Sequence, residues 1–466
     1  MQAGKTERDI LRWLEDRTGL GARLRALAEH RVPRRAKWAY VFGSATLAAL
    51  FIQMVTGVAL ATVYASSTSE AHASLRYITH QAPFGSWVRG MHYFGASAMV
   101  ALVLAHLVRV YLSGSYKFPR ELTWLIGALL LLLTLGMGFT GQLLRWDQNA
   151  VWTLVVGAEQ AGRVPAIGKT LGRLLLGGTT LNVGTLPRFF ALHVFVLPGL
   201  LFAGIGLHLY LVLRHGVSEP PRAGRPVDPR TYRSWYERLL RCDGVPFWPN
   251  AAWRDLVFGS VVVGAVVALG WAVGPPGLGR PPDPSVINAE PRPDWYFLPY
   301  FALLALMPHS LEPFVIVLGP LVLGVVLVSV PLLAHRGERS PKRRPWAPMI
   351  VLGAATVLTA LGVAGMKADW SPRFDAKPLP AALVAPSDPR VNRGAALFAR
   401  RGCIYCHAIS THGGRRGPNL THVGSLLTRD QMVIRILNGG YNMPGYGAIL
   451  QADEVDALIG FLQSRR

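Results

Sequence analysis

The feature that most constrains this chain is a pair of histidines in each of two long apolar segments. His92 and His106 are 14 residues apart in one segment, and His193 and His208 are 15 apart in the other. At about 100° per helical residue, both separations bring each pair to within roughly 40 to 60° of one helix face. A rise of about 1.5 Å per residue separates the members of a pair by roughly 21 Å, less than the ~30 Å hydrocarbon core of a membrane. Two such helices face to face could clamp two stacked haems by paired imidazole ligation.

The composition agrees with a membrane setting. The chain has 466 residues, of which 51% are hydrophobic and only 16% charged, so a soluble enzyme is excluded. Seven stretches are apolar and long enough to span a bilayer. We predict spans at 38–63, 87–112, 122–144, 189–213, 256–273, 311–333 and 346–366.

The basic residues predict the topology of these spans. The formal net charge is +22, and segment 1–37 alone carries ten Lys or Arg. The loop after the fourth span adds Arg214, Arg222, Arg225, Arg230, Arg233, Arg238 and Arg241, and the loop after the sixth adds Arg336, Arg339, Lys342, Arg343 and Arg344. Because all three segments fall on one side of seven alternating spans, the positive-inside rule places them and the N-terminus in the cytoplasm. Basic residues are not gathered on one soluble domain, which argues against a nucleic-acid partner.

Two of the three cysteines form a haem-attachment signature. Cys403, Cys406 and His407 make Cys-x-x-Cys-His, in which two thiols bond to the porphyrin and the histidine becomes an axial ligand. The signature lies on the predicted external side, after the seventh span. Cys242, on a basic loop, is predicted to be an ordinary free thiol.

The order of segments around this signature resembles class I cytochrome c. A helical run over 393–401 precedes it, and Gly417-Pro418-Asn419-Leu420, Asn442-Met443-Pro444-Gly445 and an amphipathic run over 452–462 follow. The resemblance makes Met443 the expected sixth ligand, since a thioether opposite histidine raises the potential of the iron. His412 or His422 is the alternative, with Met443 then only packing in the core.

Four glycines repeat the spacing of the histidines. Gly43 and Gly57 in the first span are 14 apart, and so are Gly127 and Gly141 in the third. The absence of a side chain at these depths would let a porphyrin approach the backbone. Taken alone, the glycines would indicate ordinary helix packing. Their register with the histidines favours haem packing.

The chain also resembles the cytochrome b/b6 family, the core of quinol to cytochrome c oxidoreductases. The motifs that carry the resemblance are, in order, Arg89-Gly90-Met91-His92, His106-Leu107-Val108-Arg109-Val110-Tyr111, Pro119-Arg120-Glu121-Leu122-Thr123-Trp124, Arg145-Trp146-Asp147-Gln148, Arg188-Phe189-Phe190-Ala191-Leu192-His193 and Pro293-Asp294-Trp295-Tyr296. Spans one to four look like the b6 half, and spans five to seven look like the three-helix subunit IV. The seven spans and the 15-residue histidine spacing favour the b6-type branch over the eight-span mitochondrial type.

Two departures from the family pattern bear on cofactors and substrate. Val41 stands where the b6 branch attaches an extra haem through a cysteine, so a covalently fixed third membrane haem is not expected. Asp294 replaces the usual glutamate of the quinol-site motif. This variant resembles family members that oxidise low-potential quinones, which slightly favours menaquinone.

The resemblance assigns the four histidines to two noncovalent b haems. His92 with His193 would hold an outer, low-potential haem, and His106 with His208 an inner, high-potential one. Cys403, Cys406, His407 and Met443 would hold one covalent haem c.

Charged residues near the haem ligands receive roles from the same resemblance. Arg89 and Arg188 are expected to pair with outer-haem propionates and Arg109 with an inner one; contact with lipid headgroups is the alternative. The expected catalytic residues of the outer quinol site are Asp294 and Tyr296. Arg214 and His215 mark an inner quinone site, although both could equally be ordinary basic-side residues.

The resemblance implies a multisubunit complex. A Rieske iron-sulfur centre needs two Cys and two His ligands, and only Cys242 is left, so the Rieske protein must be a separate subunit. The expected downstream acceptor is a cytochrome c or terminal oxidase, the complex is expected to be homodimeric, and the location is the bacterial inner membrane, with the cytochrome c domain outside. Residues 1–37 lack the apolar core of a cleavable signal peptide.

The sequence thus predicts an all-α membrane protein with a four-helix haem-binding bundle, three further transmembrane helices and a small all-α cytochrome c domain. The predicted parts are a basic arm (1–37), the b6-like domain (38–216), a cytoplasmic linker (217–252), the subunit IV-like domain (253–367), a Pro-rich tether (368–389) and the cytochrome c domain (390–466). Two other functions are the alternatives: a non-bifurcating b-type anchor linking a dehydrogenase to quinone, and a non-catalytic assembly or electron-carrier protein. The Asp294 motif and the three-span second half argue against the anchor, and two complete histidine pairs argue against the carrier.

Overall fold

The structure is a computed structural model. It describes residues 3–178, 181–283, 292–308, 311–368, 378–380, 388–414, 417–439, 443, 445–447 and 449–466. Most of the predicted tether at 368–389 lies outside the described residues, as do Asn442 and Pro444 of the Asn-Met-Pro-Gly motif.

The described chain is mainly helical. The α-helices up to and including the third span are α1 Ala3–Thr18, α2 Leu20–Glu29, α3 Phe42–Ala61, α4 Ala71–His80, α5 Gly85–Leu112 and α6 Glu121–Leu143. The next are α7 Gln148–Gly162, α8 Gly168–Leu176, α9 Thr185–Ala191, α10 Leu197–His215, α11 Tyr232–Asp243, α12 Ala252–Ala272, α13 Leu298–Leu306, α14 Glu312–Leu333 and α15 Trp346–Lys367. The C-terminal domain contains α16 Pro389–Arg400, α17 Cys403–Cys406, α18 Val423–Leu426, α19 Arg429–Asn438 and α20 Ala452–Gln463.

Other regular elements are short. Trp38–Tyr40 and Pro341–Arg343 form 3-10 turns, and Leu192–Val196 forms a π turn that joins α9 to α10. The strands are β1 Arg31–Pro33, β2 Gly244–Pro246, β3 Ala408–Ile409 and β4 His412–Gly413. They form two antiparallel pairs, β1 with β2 and β3 with β4.

Seven helices of the described chain are long and apolar enough to cross a membrane, which confirms the predicted number. They are Phe42–Ala61, Gly85–Leu112, Glu121–Leu143, Thr185–His215, Ala252–Ala272, Glu312–Leu333 and Trp346–Lys367. The largest differences from the predicted bounds are four residues, at the starts of the first, fourth and fifth spans: Phe42 against 38, Thr185 against 189 and Ala252 against 256.

The first four spans pack in pairs. Helix α3 packs along α5, and α10 packs along α6. Small residues make the first contact close, since Ala45 and Ala49 are fully buried. Gln53 fixes its register by donating from Nε2 to the backbone carbonyl of His92 at 3.0 Å. The packing therefore holds the histidine-bearing face of α5 in one position against α3.

The later spans surround this bundle. Helix α12 packs against α5 and α3, where the backbones of Gly90 and Gly270 nearly touch: a Cβ at Gly90 would lie 2.8 Å from the Gly270 carbonyl oxygen. Helix α14 packs against α6, and α13 lies against α15. Glycine at the α5–α12 crossing is thus a steric requirement.

Four segments lie at the same end of the spans as the N-terminal arm: 30–41, 113–120, 216–251 and 334–345. Together they form one polar layer, which is called here the basic end. Strand β1 pairs with β2, with Val32 opposite Val245, and Val227 pairs with Gly337. These two contacts tie the N-terminal arm and the loop after the sixth span to the segment between the two halves.

The C-terminal domain has its own core. Helices α16 and α20 cross so closely that a Cβ at Gly394 would collide with the Ala457 carbonyl. Beside the crossing, the rings of Phe398 and Phe461 lie 5.6 Å apart and are almost fully buried. Met443 packs against the edge of this core, and Leu379, from the tether, does the same.

Candidate functional site

The four intramembrane histidines meet as two pairs. The ring centres of His92 and His193 are 6.2 Å apart, and those of His106 and His208 are 6.5 Å apart. Helices α5 and α9–α10 each contribute one histidine to each pair. The pairing predicted from the sequence is the one found in the structure.

These separations fit one metal ion in each pair. A metal–imidazole nitrogen bond is about 2.0 Å long, and the ring centre lies about 1.1 Å behind the nitrogen, so two imidazoles on opposite sides of one iron have centres about 6.2 Å apart. The measured 6.2 and 6.5 Å agree with that arrangement.

Each of the four predicted glycines faces one histidine ring. A Cβ at Gly57 would lie 3.2 Å from Cε1 of His92, and one at Gly141 would lie 2.7 Å from Cε1 of His193. Gly43 faces His106 at 3.2 Å and Gly127 faces His208 at 3.4 Å in the same way. The glycines therefore make room for the imidazoles themselves, and their packing against a macrocycle stays a prediction.

Threonine hydroxyls contact the first pair. Thr56 Oγ1 lies 2.9 Å from Nδ1 of His92, and Thr140 Oγ1 lies 3.0 Å from Nδ1 of His193. Each threonine directly precedes one of the glycines that face these rings. Sequence reasoning missed both residues, although the Thr-Gly pairs at 56–57 and 140–141 were a visible signal.

The π turn explains the unequal spacing of the histidines. Leu192–Val196 contains His193, and a π turn adds one residue to a helix without a matching rotation. Fifteen residues across this turn are therefore equivalent to fourteen in a regular α-helix. Pro198 is a physical cause, because it has no N–H to bond the Val194 carbonyl four residues earlier.

The three arginines assigned to propionates have different surroundings. Arg89 is buried and donates to Thr79 Oγ1 and to the Pro276 carbonyl, both at 3.0 Å, so it does not reach toward lipid headgroups. Arg188 is exposed. Arg109, one turn from His106, lies 3.5 Å from the centre of the Tyr40 ring, and its Nη2 is buried without a hydrogen-bond partner among the described residues.

Asp294 and Tyr296 form a polar pair at the end of the spans away from the basic end. The Tyr296 hydroxyl donates to Asp294 Oδ2 at 2.9 Å. Burial raises the pKa of the Asp294 carboxyl, against the opposing effects of the Tyr296 hydrogen bond and the charge of Arg145. A base with a raised pKa and a hydroxyl beside it can accept a proton from a bound hydroquinone.

This pair lies against the helix that also supports the first histidine pair. The Tyr296 hydroxyl contacts Gly138 of α6, and His193 contacts Gly141 of the same helix. Residues three apart on a helix share a face and are separated by about 4.5 Å along its axis. The Asp294 site is therefore next to the His92–His193 pair.

A buried acid anchors the loop beside this site. Asp147 is fully buried, pairs with Arg145 at 2.5 Å and caps α7 by accepting from the Ala150 N–H at 2.9 Å. Its second oxygen accepts from the Gly279 N–H at 3.0 Å. The Arg-Trp-Asp-Gln motif thus fixes the loop after the fifth span over the end of α6.

The basic end contains a buried polar cluster that the sequence analysis did not find. Arg339 forms an ion pair with Glu219, whose Oε2 accepts from the Tyr232 hydroxyl at 2.9 Å. Tyr232 in turn accepts from Arg120 at 2.8 Å. Ser115 and Ser218 are hydrogen-bonded at 2.6 Å beside Arg109.

The residues predicted for the inner quinone site lie at the edge of this cluster. Arg214 is exposed, and His215 is partly buried with its carbonyl accepting from Arg120 Nη2 at 3.0 Å. The structure therefore brings His215 to the cluster and leaves Arg214 on the surface.

The Cys-x-x-Cys-His signature folds as one helical turn followed by an extended residue. Cys403 and Cys406 are at the ends of α17, and His407 follows with its Nδ1 2.9 Å from the Pro418 carbonyl. Since a carbonyl only accepts, Nδ1 carries the proton and Nε2 is the nitrogen free to bind a metal. Gly417 makes room for this ring, because a Cβ there would lie 2.5 Å from Cε1. His412 is partly buried and His422 is exposed.

Seven spans with two opposed imidazole pairs, followed by a Cys-x-x-Cys-His domain, define the class of membrane proteins built to hold haem between helices. Three family descriptions match the chain: "Cytochrome b/b6/petB" over residues 27–216, "Cytochrome b(C-terminal)/b6/petD" over 281–376 and "Cytochrome C oxidase, cbb3-type, subunit III" over 389–462.

Similar curated proteins carry the same family name. Cytochrome b6 of Heliobacterium mobile is 40% identical over 212 residues, which are 45% of this chain and 100% of that protein. The menaquinol:cytochrome c reductase cytochrome b subunit of Bacillus subtilis (strain 168) is 36% identical over 219 residues, 45% of this chain and 98% of that protein. Cytochrome b of Rickettsia bellii is 32% identical over 349 residues, 74% of this chain and 82% of that protein.

A solved structure shares the fold. A chain of a hyperthermophilic respiratory complex III superposes with a TM-score of 0.66 at 24% identity, covering 85% of this chain and 96% of that one. The chain belongs to the cytochrome b/b6 family, and it carries a cytochrome c domain at its C-terminal end.

Proposed function

We propose that this chain is the cytochrome b and c subunit of a quinol:cytochrome c oxidoreductase in the bacterial inner membrane. The observation that carries the proposal is the presence of two histidine pairs in one helix bundle. Their ring centres are 6.2 Å apart in one pair and 6.5 Å apart in the other. A relative that is 36% identical is named as the cytochrome b subunit of a menaquinol:cytochrome c reductase.

The four membrane histidines would bind two noncovalent b haems, and Cys403, Cys406 and His407 one covalent haem c. When bound, these groups supply one-electron transfer, across the membrane between the b haems and to an external acceptor at haem c. Met443, at the edge of the C-terminal core, is proposed as the sixth ligand of haem c.

Asp294 would act as the proton acceptor for quinol at the outer site. Its carboxylate accepts from the Tyr296 hydroxyl, which contacts Gly138, one helical turn before the Gly141 that faces His193. A quinol bound there would give up two protons on the external side. One electron would enter the b-haem pair, and the other would leave through a Rieske protein supplied as a separate subunit to haem c.

Arg109 supports an anionic group at the inner haem. Its Nη2 is a buried donor with no hydrogen-bond partner among the described residues, which suits a propionate. Arg89 and Arg188 are proposed for the outer propionates. At the basic end, a quinone would be reduced near His215 and take up cytoplasmic protons.

The experiment that tests the function combines haem counting with turnover. Pyridine haemochrome spectra of the purified complex should give two b haems per c haem, and a haem-stained denaturing gel should show this chain retaining only haem c. Quinol:cytochrome c turnover should stop with outer-site inhibitors. A non-bifurcating anchor would instead reduce quinone from a dehydrogenase and show no such turnover.

A further inference from the structure

We propose that Thr56 and Thr140 are positioning residues that fix the proton of His92 and His193 on Nδ1 and lower the reduction potential of the haem held by that pair relative to the other b haem. The inference rests on the proposed function, because it presupposes that the histidines ligate haem. It concerns what makes the two haem sites different.

Both threonines make the same two contacts. Thr56 Oγ1 lies 2.6 Å from the Ile52 carbonyl, four residues earlier on its own helix, and 2.9 Å from His92 Nδ1. Thr140 Oγ1 lies 2.8 Å from the Gly136 carbonyl and 3.0 Å from His193 Nδ1. Both threonine side chains are buried, so water does not compete for these bonds.

The position of the protons follows from counting donors. A threonine hydroxyl has one hydrogen, and a carbonyl can only accept, so the hydrogen of each hydroxyl is used on its own helix. The hydroxyl oxygen is then an acceptor toward the imidazole, and Nδ1 must carry a proton. In this tautomer Nε2 presents its lone pair, which is the form that binds a metal. With the proton on Nε2 instead, one of the two contacts at each threonine would have no hydrogen.

A hydrogen bond donated by the far nitrogen changes the ligand electronically. It increases the basicity of the coordinating nitrogen, as hydrogen-bonded partners of metal-bound histidines generally do. A more basic ligand favours the oxidised, more highly charged iron and therefore lowers the reduction potential. Both ligands of the His92–His193 pair receive this effect.

The other pair lacks these hydroxyls. Phe42 precedes Gly43, and Ile126 precedes Gly127, at the positions that correspond to Thr56 and Thr140. Nδ1 of His208 is buried and has no hydroxyl partner among the described residues; the Thr123 carbonyl approaches this ring as the Met137 carbonyl approaches His193, so the hydroxyls are what distinguishes the two pairs.

This asymmetry gives electron transfer a direction. A lower potential at the His92–His193 haem makes transfer to the His106–His208 haem favourable, away from the Asp294 site. The difference in reduction potential between the two b haems would then come from one side chain of α3 and one of α6, independently of charges outside the membrane.

The test replaces each hydroxyl by a methyl group. Thr56→Val, Thr140→Val and the double variant keep the side-chain shape and remove the acceptor. Thr46→Val and Thr134→Val are matched controls, because Thr46 and Thr134 bond carbonyls of the same two helices at 2.8 Å and, among the described residues, make no hydrogen bond with a histidine ring nitrogen. The purified complex is examined by optical redox titration and EPR, with haem content measured in parallel.

We expect each single variant to raise the potential of one b haem and to leave haem c and the other b haem unchanged. A tenfold change in the reduction equilibrium per hydroxyl corresponds to about 59 mV for one electron. The double variant should shift further, and both controls should match wild type. Unchanged potentials with both b haems present, or equal shifts in the controls, would overturn the proposal.

If a valine variant loses the haem, Thr56→Ser or Thr140→Ser shows whether the missing hydroxyl is the cause, because serine restores the hydroxyl. Recovery of the haem at the wild-type potential supports the role of the hydroxyl, and loss in the serine variant as well contradicts it. Failure of the proposed function would look different, since wild-type protein would then lack two b haems before any threonine was changed.

Discussion

At the scale of single residues, the surroundings of the Asp294 carboxyl determine its proton affinity. Asp294 has one described hydrogen-bonding side chain, Tyr296, and its environment is otherwise largely desolvated. Because desolvation disfavours the charged carboxylate, the residue holds a proton up to a higher pH than an exposed aspartate. The pair is therefore suited to exchange protons with a quinol.

Asp294→Asn should lower quinol:cytochrome c turnover about 100-fold, because it keeps the shape of the side chain and removes the base. Asp294→Glu should retain much of the activity. Rates are measured with haem content checked in each variant. An asparagine variant as fast as wild type at every pH would refute the proton role.

Tyr296→Phe should move the acidic limb of the turnover profile to higher pH. The active form is the carboxylate, so the rate falls as pH drops through the pKa of Asp294. The Tyr296 hydrogen bond lowers that pKa, and its removal raises it further. Turnover is measured across pH, and a limb that stays in place or moves to lower pH would contradict this role.

The histidine pairs predict separate losses of haem. His193→Leu should remove the b haem shared with His92, and His208→Leu the one shared with His106, because a single imidazole holds the iron poorly. Low-temperature spectra distinguish the two b haems, and quinol oxidation should cease in both variants. Retention of both b-haem signals in either variant would disprove the pairing.

At the scale of elements, the sequence predicted the spans well and the details of the helices poorly. Apolar length alone locates a transmembrane helix, so all seven were found. Spacing could not predict the π turn, because 14 and 15 residues both leave a pair near one face; Pro198 was the only local signal. Asp294 and the histidines were identifiable by motif, whereas the contacts of Thr56 and Thr140 depend on how helices pack.

The π turn makes a prediction about single-residue deletions. Deletion of Phe195 should convert the turn into regular α-helix and leave His208 facing His106, so both b haems are retained. Deletion of Phe202 shortens the chain equally but keeps the turn, which rotates His208 by about 100° and removes its haem. Haem content of the two purified variants is compared. Equal haem loss in both would show that the turn does not compensate for the extra residue.

At the scale of the whole molecule, the two halves are joined by polar contacts at the basic end. Arg339 of the second half bonds Glu219 of the linker between the halves and also donates to the Ser113 carbonyl of the first half at 3.3 Å. Lys117 of the first half donates to the carbonyls of Ala334 and Arg336 at 2.5 and 2.7 Å. Glu219 and Arg339 are 120 residues apart, a separation at which sequence patterns do not specify a partner.

Arg339→Met should destabilise the packing of the two halves. The Arg339 side chain is only 3% exposed, and its loss leaves the partly buried Glu219 carboxylate without its cation. Breaking one side of a buried pair costs roughly 3–5 kcal/mol. Arg336→Met is the matched control, because the Arg336 side chain is exposed in the same loop. Thermal unfolding of the detergent-purified complex, followed by loss of the b-haem spectrum, should occur at a clearly lower temperature in Arg339→Met alone. The double variant Arg339→Met with Glu219→Gln should recover part of the loss, and a midpoint equal to that of the control would exclude the ion pair as a joint between the halves.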